Sequence, residues 1–301
     1  MDVARQGGEV AGVARKALED VGLVMSADGT GATVTEQDLP EGTEVAKGAT
    51  INVMMAAVRA HGITIMENVA KEPHIVDLAN FLNSMGADVR GAGTSVITVR
   101  GKKPLHGGEH TVMPDRIVAA TLLTAVAAAG GETELLGTDY RQLSTVTAVL
   151  TEAGCRIRSG SDSIHICREA PLRGVRPIRT APYPGFPTDA QAPLMAALLR
   201  SEGAVMFVEN MFDSRYRHVP ELVRMGADIR LEGRVAVVYG TRELHGAAVR
   251  CTDLRGGAAL AIAALQTPDA TLIHEIYHIQ RGYQDMAGDL RALGADAAVE
   301  V

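Results

Sequence analysis

Four residues have the types and surroundings that could do chemistry. Asp189 follows Pro184, Gly185 and Pro187, which fix a loop, and it precedes an apolar helical run in APYPGFPTDAQAPLMAALL, residues 181–199. Arg215, Arg255 and Arg281 lie on three separate stretches further along. A guanidinium grips carboxylate or phosphate through two parallel hydrogen bonds and stays charged at any working pH. A carboxylate within hydrogen-bond reach can take a proton from a substrate. Each residue also has a plainer reading. Thr188 or Asp189 could simply cap the helix that follows. The arginines could be solvated surface charges, and Arg255 could pair with nearby Asp253.

The elements that must position these residues show in a repeat. Four stretches share one pattern, a helix-like run, then glycine with a small residue, then an alternating strand. Their glycines are Gly86, Gly154, Gly226 and Gly294, spaced roughly 70 residues apart, which marks repeated supersecondary units. In the first, Leu78, Leu82 and Met85 make one apolar helical stripe. Gly86 stands where a helix needs a left-handed final residue, and Ile97, Thr98 and Val99 alternate as a strand does. The last stretch, LRALGADAAVEV, predicts a strand after Gly294. Further apolar helical runs cover residues 117–129 and 190–199. Such units fit an α/β assembly in which helices cover sheet faces.

Composition narrows the partners. Aromatics make up only 3% of the 301 residues, so the core must be aliphatic, which suits helices packed on sheets. A formal charge of −7 argues against nonspecific nucleic-acid binding, so positive charge for an anionic ligand must be local. No apolar run is long enough for a membrane span, and MDVARQGGEV has no signal-peptide core. The three cysteines match neither a zinc site nor a disulfide framework, so a reduced, cytoplasmic protein is expected. Cys155 falls in a helix-to-strand turn and Cys167 in a strand. Cys251 lies close to Asp253 and Arg255 but reads as a packed strand residue.

The segment bearing Asp189 resembles the substrate-binding aspartate segment of UDP-N-acetylglucosamine enolpyruvyl transferases. Three more stretches match that family: NMFDSRYRHVPELVRMGADI (210–229), CTDLRGGAALAIAAL (251–265) and IYHIQRGYQDMAGDLRALGA (276–295). They place Arg215, Arg255 and Arg281 in the site. Upstream, ENVAKEPHIVDLANFLNSMGADV (67–89) and VMPDRI (112–117) also fit. The resemblance runs from about Gly48 to the last residue. It implies repeated βαβαββ-like units of an inside-out α/β barrel, with residues 48–113 as the last unit of one domain and 114–301 as a second domain. It implies transfer of the enolpyruvyl group of phosphoenolpyruvate to the 3-hydroxyl of UDP-N-acetylglucosamine, the first committed step of peptidoglycan synthesis. Asp189 would accept the hydroxyl proton, and Arg281 would share the catalytic role. Arg215, Arg255 and Arg281 would bind the phosphoenolpyruvate anion, and Met211 would lie against the uridine nucleotide. No metal or organic cofactor, nucleic acid or membrane partner is implied.

Departures from the family pattern point to a competing expectation. The family's Lys-Asn pair and cysteine loop have no counterpart here, and the drifted positions include Val118, Gln280 and Ala46. A catalytically incomplete form, binding substrate without turnover, is therefore the alternative. In place of that front segment, residues 13–53 resemble a PASTA module, so residues 1–53 are expected to form a truncated module of that kind with possible muropeptide contact. Its features are a helix ending at Gly22, a strand at residues 33–37, LPEGTEV and a KGATINV strand. The two resemblances overlap at GATINV, expected as a strand in either.

Overall fold

The computed structural model describes residues 47–101 and 104–299, and the chain divides into two compact units, Met1–Met113 and Pro114–Val301. In the first, α1 (Lys47–Arg59) and α2 (Pro73–Ser84) pack on a three-stranded antiparallel sheet. Its strands are β1 (Ile63–Glu67), β2 (Asp88–Arg90) and β3 (Val96–Arg100), in the order β1-β3-β2, with Ile65 opposite Thr98. Met54, Ala57 and Val58 of α1 meet Ile75, Ala79 and Leu82 of α2 and Ile97 and Val99 of β3 in one apolar core.

Helix α1 corrects the expectation of a KGATINV strand. Buried positions Thr50, Met54, Ala57 and Val58 recur at three- and four-residue intervals, the period of a helix and not of a strand. The β-branched residues near its start suggested a strand, but burial of that stripe outweighs their weak local preference. The other expected PASTA elements, at residues 13–46, lie outside the described residues.

The second unit is built around three helices: α3 (Arg116–Ala129), α5 (Thr188–Ala197) and α7 (Leu254–Ala264). Helix α5 packs on both α3 and α7, and α3 touches α7. All three are apolar nearly all round, as a helix enclosed by protein must be. Between them come β4 (Gly131–Leu136), α4 (Ser144–Glu152), β5 (Arg156–Ser159), β6 (Ser163–Arg168) and β7 (Ile178–Arg179). After α5 follow β8 (Ala204–Val208), α6 (Val219–Arg224), β9 (Asp228–Glu232), β10 (Val235–Tyr239) and β11 (Ala248–Arg250). The last elements are β12 (Leu272–His274), α8 (Tyr277–Gln280) and α9 (Met286–Ala292).

The strands form three sheets, ordered β4-β6-β5, β7-β8-β10-β9 and β11-β12. The first is antiparallel, β7 and β8 run parallel, and β11 and β12 are a parallel pair. Each sheet turns alternate residues inward, including Ile164 and Ile166, Val205 and Phe207, and Ala236 and Val238, all fully buried. The result is an α/β arrangement of repeated units. The expected strand after Gly294 is absent among residues 295–299. In the earlier units that strand is held in a hairpin by the one after it, as β5 is by β6 and β9 by β10. No such partner follows within the described residues, and a lone strand leaves its ladder groups unpaired.

The repeat glycines do one job four times. Gly86, Gly154, Gly226 and Gly294 all have φ between 93° and 114°, the left-handed region glycine enters without penalty. At each, the next residue's N–H reaches back to the helix: Ala87 to Leu82 O, Cys155 to Leu150 O, Ala227 to Leu222 O and Ala295 to Leu290 O, at 2.9–3.1 Å. A second landmark recurs beside them. In Leu105-His106-Gly107, Leu172-Arg173-Gly174 and Leu244-His245-Gly246, the middle N–H donates to Met85 O, Ala153 O and Met225 O, each at 3.0 Å. The loop after each hairpin is thereby tied to the turn that began it.

The central helices share one direction. The starts of α5 and α7 meet where Arg255 reaches Asp189. The ends of all three meet around one cavity lined by Ala128, Ala197 and Gln266, where Gln266 Nε2 donates to Ala196 O at 2.7 Å and Arg168 Nη2 of β6 donates to Ala128 O at 3.0 Å. Arg200 joins them through a 3.3 Å bond to Gln266 O. Among the described residues no helix is long and apolar enough to cross a membrane.

Candidate active site

Asp189 stands in the first turn of α5, and its carboxylate does not cap the helix. The N-cap is Pro187, which makes no side-chain cap bond. Instead Asp189 Oδ1 meets Arg215 Nη2 at 2.5 Å and Arg255 Nε at 3.7 Å. Side-chain exposures of 33%, 18% and 15% for Asp189, Arg215 and Arg255 show a partly sheltered cluster, open enough to meet a ligand. Two guanidiniums from segments 40 residues apart in sequence thus share one carboxylate oxygen.

Each arginine is held by its own surroundings. Arg255 does not pair with Asp253, because that carboxylate caps α7 through the N–H groups of Arg255 and Gly256, at 3.0 and 2.8 Å. Arg255 Nη1 instead donates to Tyr283 Oη at 3.3 Å, and Tyr283 is hydrogen-bonded to Thr121 of α3 at 2.8 Å. The ring of Tyr283 lies 5.9 Å from the Arg255 guanidinium carbon, a cation–π distance. Arg215 leans on Phe212 in the same way, at 5.5 Å, and its Nη2 also points to Thr188 O at 3.5 Å.

Arg281 is placed differently. It closes α8, which packs on α7, but its side chain is exposed and joins no ion pair among the described residues. Only its neighbour Tyr283 touches the Asp189 cluster, through Arg255. Met211 is half-buried, and its N–H donates to Glu209 Oε1 at 2.8 Å. Cys155, Cys167 and Cys251 are all buried. Burial pushes the Cys155 and Cys251 thiols up to about 11, so at neutral pH both are protonated core residues and poor nucleophiles.

Sequence reasoning missed three residues here: Glu209, Tyr283 and His218. Glu209 is fully buried and takes four hydrogen bonds. His218 is fully buried behind the arginines, and neither ring nitrogen has a partner among the described residues. Burial, assisted by the Arg215 charge and opposed by Asp253, lowers its pKa from 6.5 to about 4. The native ring therefore stays neutral while the unfolded ring takes a proton below about pH 6.5. Stability is full above that pH and falls on acidification until about pH 4, where the native ring titrates too. The loss amounts to about 3 kcal/mol from this one side chain. Urea unfolding at pH 7 and pH 4.5 should show a smaller acid loss for His218→Leu than for the parent, since leucine removes the titration and no hydrogen bond.

The EPSP synthase (3-phosphoshikimate 1-carboxyvinyltransferase) family profile matches residues 41–290, and the PASTA domain profile matches residues 8–57. The chain is 48% identical over 252 residues to UDP-N-acetylglucosamine 1-carboxyvinyltransferase 3 of Caldanaerobacter subterraneus subsp. tengcongensis, covering 84% of this chain and 60% of that protein. It is 47% identical over 252 residues to UDP-N-acetylglucosamine 1-carboxyvinyltransferase of Zymomonas mobilis, covering 84% of this chain and 59% of that one. The enolpyruvyl transferase NikO from Streptomyces tendae superposes with a TM-score of 0.76 at 28% identity, over 84% of this chain and 60% of that chain. EPSP synthase from Acinetobacter baumannii shares the fold, with a TM-score of 0.67 at 19% identity over 96% and 71% of the two chains. On this evidence the chain belongs to the EPSP synthase (3-phosphoshikimate 1-carboxyvinyltransferase) family, and it spans about 60% of the length of its relatives named UDP-N-acetylglucosamine 1-carboxyvinyltransferase.

Proposed function

We propose that the second unit binds phosphoenolpyruvate and UDP-N-acetylglucosamine for enolpyruvyl transfer to the sugar 3-hydroxyl, the reaction the relatives' names point to. The observation that carries this reading is the convergence of Arg215 and Arg255 on the single oxygen Asp189 Oδ1. A phosphate and a carboxylate on one small substrate compete with Asp189 for both guanidiniums. Each contact the substrate takes leaves Asp189 less neutralised and a better proton acceptor. The 3-hydroxyl gives its proton to Asp189 as its oxygen bonds to the central carbon of phosphoenolpyruvate. The methylene carbon takes a proton from solvent, and the tetrahedral adduct then loses phosphate and returns a methyl proton to solvent to restore the enol ether. The arginines stabilise the phosphate as charge moves onto it. Met211 and the turn after it lie along the nucleotide. Arg281, exposed beside Tyr283, reaches the anion when the substrate is seated. A cytoplasmic site fits a nucleotide-sugar substrate.

The buried cysteines do not supply the proton to the methylene carbon, so the chain's own turnover is the point to measure. Purified protein with both substrates is expected to release phosphate, with no release when either is omitted. Thermal stabilisation by UDP-N-acetylglucosamine without phosphate release identifies a binding unit that needs a companion segment. Absence of both responses overturns the reading. A second reading, muropeptide binding through the front of the chain, is favoured by the PASTA match to residues 8–57. It expects muropeptide affinity unaffected by phosphoenolpyruvate.

A further inference from the structure

We propose that Glu209 is a positioning residue that sets the Asp189–Arg215 pair, an inference that rests on the enolpyruvyl transfer reading. Glu209 follows β8 and has no exposed surface. Its Oε1 accepts from Thr180 Oγ1 at 2.9 Å, from Met211 N at 2.8 Å and from Phe212 N at 3.2 Å. Its Oε2 accepts from Thr188 Oγ1 at 2.9 Å. Thr180 Oγ1 in turn accepts from Asn210 N at 2.8 Å, which leaves its hydroxyl hydrogen for Glu209. All four partners are neutral donors, and no cation pairs with this carboxyl among the described residues.

A buried carboxyl without a counter-charge is a poor way to add stability. Its partners show what it does instead. Thr188 is the residue before Asp189, and Met211 and Phe212 begin the turn that leads to Arg215. One side chain therefore anchors both ends of the ion pair, Asp189 through Oε2 and the arginine turn through Oε1. Thr180, at the end of β7, fixes the carboxyl from a third side. Phe212, held by its own N–H, supplies the face on which the Arg215 guanidinium rests. Loss of this hub loosens the geometry of a 2.5 Å contact, and misplacement on the order of 1 Å in an active site costs about 100-fold in rate.

Glu209→Gln keeps shape and size but removes the charge that strengthens all four bonds and replaces one acceptor oxygen with an amide donor, so Thr188 must turn its hydroxyl to accept. Its kcat is expected to fall about 100-fold, with the substrate KM values changed less than about threefold. Combined with Asp189→Asn it is expected to slow the protein no further than Asp189→Asn alone, because both act on one pair. A readout independent of turnover is the 15N signal of the Arg215 guanidinium. Hindered rotation keeps its terminal nitrogens distinct in the parent, and they average in Glu209→Gln. If Glu209→Gln fails to fold, Thr188→Val, which cuts only the link to Asp189, carries the same expectations. Unchanged kcat and unchanged guanidinium signals overturn the proposal, as does a rate loss that multiplies with that of Asp189→Asn. If the parent shows neither turnover nor stabilisation by the substrates, the transfer reading fails while the guanidinium signals still decide the role of Glu209.

Discussion

Asp189→Asn is expected to lower kcat for phosphate release by about 10³-fold without raising the KM for phosphoenolpyruvate. The amide keeps the shape of the side chain and can still accept a hydrogen bond from Arg215. It cannot accept the 3-hydroxyl proton, so the bond-forming step loses its base. The same change removes the negative charge that Arg215 and Arg255 share, so both guanidiniums become more available to the substrate anion. Anion binding should hold or tighten while chemistry slows. Arg255→Ala should do the reverse, raising the KM for phosphoenolpyruvate. Steady-state phosphate release with each substrate varied in turn separates the two. A KM rise with kcat intact in Asp189→Asn would reassign the aspartate to ground-state binding.

The second large effect concerns folding. Gly240→Ala is expected to destabilise the second unit by about 3 kcal/mol or more and to cut soluble yield sharply. A Cβ at Gly240 would lie 1.7 Å from Ser201 O, a backbone atom that cannot swing aside as a flexible side chain does. The position is structural and not local. Gly240 ends the β9–β10 hairpin and sits on the chain just after α5, and Gly101 does the same after β3, where a Cβ would lie 2.0 Å from Ala60 O, just after α1. The hairpin packs against the exit of the buried helix in both units, and only a bare α-carbon permits that approach. Circular dichroism melts of Gly240→Ala and Gly101→Ala, with Gly107→Ala as a control whose Cβ meets nothing within 4 Å and whose backbone is not left-handed, test the claim. An ordinary melting profile for Gly240→Ala would refute it.

The pairing of Gly101 with Gly240 also explains what could be seen in advance. The repeat was legible because one glycine per unit must adopt a left-handed conformation, and that requirement writes itself into the sequence at Gly86, Gly154, Gly226 and Gly294. Helices α3 and α5 were legible as unbroken apolar runs. Helix α1 was not, because its Thr, Ile and Val residues look strand-like until the buried stripe through Met54, Ala57 and Val58 is traced. Asp189, Arg215 and Arg255 stood out through motif resemblance, but their mutual contact was set by turns that no local pattern describes. Glu209 was invisible. An acidic residue after a strand is usually solvated, and its burial depends on Thr180 and Thr188, which lie 29 and 21 residues upstream. Tyr283 looked like motif context for Arg281, while its hydroxyl in fact serves Arg255 and Thr121.

The shared direction of α3, α5 and α7 has a consequence for how an anion finds this molecule. Each helix carries roughly half a positive charge at its start and half a negative charge at its finish. Three aligned peptide dipoles add, and Arg168 and Arg200 neutralise the carbonyl pole at the far end. What remains is a standing field that points outward from the Asp189 end. A polypeptide seven charges in excess of acid can thus present an attractive mouth to a trianionic metabolite, and dissolved salt would weaken that attraction over about 8 Å at physiological ionic strength.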